Sequence, residues 1–71
     1  MPEDVKAHIT GVVFQITTQP GDAVAAGDAV IVLESMKMEI PVEAPRAGIV
    51  KEVRVTEGQT VQEGETVVVL G

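Results

Sequence analysis

The chain has 71 residues, no cysteine, one histidine and a formal charge of −6, from five Lys and Arg against eleven Asp and Glu. A chain of that length forms one small domain and buries only about 60% of the surface it exposes when unfolded, here without a disulfide or a thiolate metal site to help it. The acidic balance makes nucleic acid and anionic membranes unexpected partners, no apolar stretch approaches the ~20 residues of a membrane span, and no basic segment followed by an apolar one opens the chain. Opening on Met1, it reads as one domain over residues 1–71 with a natural start, expected to be cytoplasmic.

Of the apolar residues, 14 are Val and 5 are Ile, with a single aromatic, Phe14. That composition favours strands. In chain order the pattern predicts strands over Val5–Ile9, Val12–Thr18, Val30–Ser35, Met38–Val42, Gly48–Val55 and Val67–Leu70, with short paired segments near Val24 and Val61. In the second strand, alternation puts Val12, Phe14 and Ile16 on one face and Val13, Gln15 and Thr17 on the other. Glu34–Ile40 contains fair helix formers. However, β-branched residues flank it and Pro41 blocks continuation of a helix, so it reads as a hairpin with its tip at Met36–Lys37.

Sliding the sequence by 37 positions aligns residues 10–33 with 47–70 without a gap. Eight of these 24 pairs are identical, among them Gly11/Gly48, Gly21/Gly58, Gly27/Gly64, Val24/Val61 and Leu33/Leu70. Each half carries the same punctuation: Gly21-Asp22, Val24, Gly27-Asp28 and Val30, then Gly58-Gln59, Val61, Gly64-Glu65 and Val67. Glycine permits φ > 0 in such reversals, and the intervening valine serves as an inward anchor. Neither half could bury its apolar face alone. The fold expected is all-β, a flattened β-barrel or sandwich (barrel-sandwich hybrid) of two pseudo-symmetric halves with short antiparallel strands. The unrepeated junction then forms one hairpin, with Lys37 at one end of the domain and Met1 and Gly71 toward the other.

The junction reads Glu34-Ser35-Met36-Lys37-Met38-Glu39-Ile40. Two-residue hairpin turns favour Asn-Gly or Gly-X because their central residues need φ > 0. Met and Lys resist that conformation, while the other turns of this chain use glycine. A local rule broken at one place points to function, and flexible methionines at a surface suit recognition by a partner. On residue types alone, a solvated turn explains the lysine as well.

These features resemble the biotinyl/lipoyl attachment domains over about residues 8–71, and the Met36-Lys37-Met38 tripeptide is similar to the biotin-accepting form of their motif. It looks closest to the stand-alone single-domain members, of the biotin carboxyl carrier type. The gapless alignment of Gly21–Val30 on Gly58–Val67 leaves no room for the protruding insertion of some acetyl-CoA carboxylase carriers. The resemblance implies that Lys37 carries covalent biotin. Met36 and Met38 would be the flanking recognition residues, and Glu34 and Ser35 would occupy the approach, where the family more often has Ala at position 35. It implies a biotin protein ligase as modifying partner, and biotin carboxylase and carboxyltransferase subunits as the sites between which a carboxyl group is shuttled. It implies no catalytic residue and no metal in the chain itself, which has no Cys or Tyr and no base positioned beside Ser35. Two alternatives remain: a lipoyl-type carrier of acyl or aminomethyl groups, and an unmodified barrel-sandwich interaction module.

Overall fold

The computed structural model describes residues 2–71. All of its helix-or-strand structure is strand, in eight segments: β1 (Glu3–Lys6), β2 (Gly11–Ile16), β3 (Ala23–Val24), β4 (Ala29–Ser35), β5 (Met38–Glu43), β6 (Gly48–Val53), β7 (Thr60–Val61) and β8 (Thr66–Leu70). They form two four-stranded antiparallel sheets, ordered β1-β8-β6-β3 and β5-β4-β2-β7. The second is called here the hairpin sheet.

The 37-residue shift also governs the backbone pairing. β2 pairs with β4 as β6 pairs with β8, so Val13 opposes Leu33 and Val50 opposes Leu70. The short strands cross over: β3, from the first half, pairs with β6, while β7, from the second half, pairs with β2. Val24 thus faces Gly48, and Val61 faces Gly11. The correspondence reaches further toward the N-terminus than residue identities show. β1 pairs with β8 as β5 pairs with β4, and Val5/Val42 and Ala7/Ala44 are buried in both halves. Ala7 donates to Glu65 at 2.9 Å and Ala44 to Asp28 at 2.8 Å, again 37 residues apart.

The core is built from equivalent pairs, with Val13/Val50, Val30/Val67, Ile31/Val68, Leu33/Leu70 and Val24/Val61 all buried. Thr18, the buried polar residue, satisfies its hydroxyl by donating to the Val30 carbonyl at 3.1 Å. The glycine punctuation is explained at the turns. Gly21, Gly27, Gly58 and Gly64 have φ between 89° and 97°, a region open to glycine. The residue after each glycine closes its turn. Asp22 accepts from the Gln19 amide and Asp28 from the Ala25 amide, each at 2.9 Å, and Gln59 and Glu65 do the same for Thr56 and Gln62.

The structure corrects two expectations from the pattern. The first strand is Glu3–Lys6, not Val5–Ile9. Its partner is the chain's last strand, with Glu3 opposite Leu70, and the register breaks after Val5 so that pairing ends at Lys6. The alternation in β2 also fails after Val13. The register passes from Val13↔Leu33 to Gln15↔Val32, which leaves Phe14 as an inserted residue. Such a bulge reverses the in-out order. Ile16 consequently turns in to pack on the core, while Val12 and Phe14 stay exposed. An equivalent irregularity lies between Val50 and Glu52, at Lys51.

Candidate functional site: the hairpin apex

β4 and β5 run in continuous register from Ile31↔Val42 to Ser35↔Met38, leaving Met36 and Lys37 as a two-residue loop. Both have positive φ, 53° and 64°. That is the requirement of a type I′ turn, whose twist matches that of the flanking strands. For residues with a Cβ the left-handed region costs roughly 1–2 kcal/mol each. The hairpin holds them there by pairing six residues of β4 with six of β5 immediately behind the loop.

The side chains at the turn point to solvent. Met36 is 87% exposed and Met38 58%. Lys37 is exposed and makes no hydrogen bond or ion pair among the described residues. Ser35 is half-buried opposite Met38, and Glu34 faces Glu39 directly across the hairpin. Like charges so placed repel. The ion pairs among the described residues lie elsewhere, Arg46–Glu3 at 2.7 Å and Arg54–Glu52 at 2.5 Å. The pKa of Arg54 is raised by its hydrogen bond to Glu52 and by the charge of that carboxylate. Glu34 and Glu39 therefore give the apex a negative flank that no ion pair among the described residues relieves.

Gly11 was not singled out for the site by its sequence, yet it supports the apex. A Cβ there would stand 2.7 Å from the Glu34 carbonyl oxygen and 3.5 Å from the Ser35 Cβ. Its repetition at Gly48 marked it as structural. Its service to the hairpin emerges only from the approach of β2 to the end of β4. At the position of the first sheet equivalent to the hairpin tip lie the chain ends, where Glu3 pairs with Leu70 and Gly71 donates to Ile49 at 2.7 Å. Met1 lies outside the described residues.

A groove of about 520 Å³ lies against β1 and β5, lined by Lys6, His8, Ile40, Pro41, Val42 and Glu43. His8 is exposed. No group of three or more His, Cys, Asp or Glu side chains suited to a metal ion exists among the described residues.

A two-fold β-sandwich that lifts one unpaired lysine clear of its body on a rigid turn is the architecture of a prosthetic-group attachment domain. Residues 1–70 match the family described as "Biotin-requiring enzyme", and the chain belongs to it. It is 46% identical over 70 residues to the "Biotinylated protein TB7.3 homolog" of Mycobacterium leprae, covering 99% of each chain. It is 44% identical over 66 residues to the "Biotin/lipoyl attachment protein" of Bacillus subtilis, covering 93% of this chain and 90% of that one. Among solved structures it superposes on the urea carboxylase of Kluyveromyces lactis with a TM-score of 0.95 at 34% identity, covering all of this chain and 6% of that one.

Proposed function

We propose that this chain is a biotin carrier that accepts biotin as an amide on Lys37 and serves a biotin-dependent carboxylase without itself catalysing a reaction. The observation that carries this reading is the left-handed Met36–Lys37 turn, which places an exposed, unpartnered amine at the tip of a rigid hairpin. Among the described residues no carboxylate pairs with the amine, which leaves it free to react. With a ligase and ATP, Lys37 Nζ first loses one proton and its lone pair then attacks the activated biotin carboxyl carbon. The activating group leaves, and the nitrogen sheds a second proton and keeps the last as the N–H of a neutral amide. The formal charge goes from −6 to one unit lower.

When bound, biotin supplies a ureido nitrogen that carries a carboxyl group. The chain's own part is mechanical. The paired strands β4 and β5 fix the root of the arm, while the lysine's methylenes provide its first flexible segment. Tethering keeps the carried group at high effective concentration near successive active sites. Met36 and Met38 flank the amine with exposed, polarizable surface that a ligase reads, and Glu34 and Ser35 form the approach. Biotin carboxylase and carboxyltransferase subunits are the partners that load and unload the arm, and the cytoplasm is the compartment proposed for this exchange.

Co-expression with a biotin protein ligase, followed by intact mass measurement and streptavidin blotting, tests the reading. The wild-type chain gains one biotinyl group and Lys37→Arg gains none while keeping its fold. Persistent labelling of Lys37→Arg refutes the site, and a lipoyl mass on the wild-type chain refutes the cofactor.

A further inference from the structure

The chain has one aromatic residue and leaves it at the surface. Phe14 is 48% exposed at the β2 bulge although the core is small and made almost wholly of Val, Ile, Leu and Ala. Burying an aromatic ring is among the larger apolar gains open to a small domain, so an exposed one calls for a reason. The duplication provides a control within the molecule: 37 residues on, the equivalent bulge of the first sheet carries Lys51. The two bulges are the same register shift in equivalent strand pairs, so the bulge itself does not demand an aromatic. Only the sheet that bears the lysine apex has one.

On that sheet Val12, also exposed, lies opposite Glu34, which lies opposite Glu39. One row thus runs from an apolar to an acidic surface. Glu34 is three residues before Lys37, so at about 3.3 Å per residue the row crosses the hairpin ~10 Å behind the apex. An exposed aromatic on the same sheet as carboxylates that form no ion pair among the described residues is the make-up of an interface anchor with a charged rim.

We propose that the outer face of the hairpin sheet, anchored by Phe14 and Val12 and rimmed by Glu34 and Glu39, is the docking surface for the biotin protein ligase, which presents an apolar recess edged with Lys or Arg. The inference rests on the biotin-carrier reading. Charge selects the class of partner. A second copy of this −6 chain would bring like carboxylates together, whereas a cationic rim neutralises them and speeds encounter. Reach selects the ligase. Amide formation requires Nζ itself inside the ligase active site, which brings the hairpin flank against the enzyme. A carboxylase site is met at the end of the completed arm.

The experiment is steady-state biotinylation of the full chain by purified biotin protein ligase, with the chain as varied substrate. Phe14→Ala and Phe14→Lys, the second placing at this bulge the residue type its equivalent already holds, raise the KM for the chain about tenfold and leave kcat within about twofold. Added salt raises the wild-type KM as well. Lys51→Ala and Ile49→Ala, on the equivalent face of the other sheet, leave both constants unchanged. An unchanged KM for Phe14→Ala, or an equal rise for Lys51→Ala, overturns the docking surface while the carrier function stands. A wild-type chain that takes no biotin overturns both.

Discussion

Gly11 approaches Glu34 so closely that a Cβ on the glycine would stand 2.7 Å from the Glu34 carbonyl oxygen. Its equivalent, Gly48, is crowded differently, with the Arg46 guanidinium 2.6 Å from the corresponding point and the backbone oxygen of Gly71 at 3.5 Å. The guanidinium is held by Glu3 and by the Ala47 and Gly71 carbonyls, but it ends a flexible side chain and can shift at the cost of those exposed contacts, whereas a carbonyl near the end of a paired strand moves only with its strand. Gly11→Ala is therefore expected to cost about 1–3 kcal/mol, in the range of overpacked sites, and Gly48→Ala less. Thermal unfolding checks the order: each kcal/mol is worth roughly 4–8 °C in a domain of this size, and equal losses in the two variants would refute the distinction.

Met36→Asn is expected to stabilise the domain. Asparagine enters the left-handed region more readily than methionine, and the turn requires φ of 53° at that position. A gain of about 0.5–1 kcal/mol follows, together with slower biotin labelling because an exposed thioether is lost. Chemical denaturation read beside a labelling time course tests both halves. A variant no more stable than wild type would show that the hairpin strands impose no strain on the loop.

Glu39→Lys turns the direct cross-strand repulsion with Glu34 into an attraction. The expected gain is about 0.2–1 kcal/mol at low ionic strength, shrinking as salt screens the pair. Melting temperatures of both proteins at low and high salt give the answer. A gain that does not depend on salt would assign the effect to strand propensity instead.

The double variant Met36→Asp with Met38→Ala is expected to lower biotin incorporation and to admit lipoylation, because the resemblance to lipoyl domains associates Asp and Ala with these two places. Intact mass after co-expression with each ligase reads the outcome. Biotin incorporation equal to wild type would remove both methionines from the recognition set.

Much of the all-β fold was legible because it is written in residues whose backbone behaviour is unusual. Four of the glycines sit at φ near 90°, and their recurrence marked the turns. The Met36–Lys37 tip was legible for the opposite reason, as a position where glycine is favoured and does not occur. The bulge at Phe14 was hidden. An inserted residue leaves no gap in a Val-rich run, and alternation read through it assigned Ile16 to the wrong face. The start of β1 was misplaced because its pairing is with the far end of the chain, Glu3 on Leu70, which local periodicity does not register. The crowding of Gly11 against Glu34 was hidden as well, since it depends on how closely two non-adjacent segments lie.

The exchange of β3 and β7 between the halves has a consequence for how such a molecule can be divided. A peptide ending before Glu34 holds β3 but not the strand it pairs with, and a peptide beginning after Arg46 is left in the same position with β7. Each could close only against a copy of itself, trading the short strand across a dyad. In a two-chain form of that kind, a pair of loose ends would stand in place of the lysine-bearing loop. The lysine proposed to carry the prosthetic arm is rooted on the seam that joins the two copies into one chain.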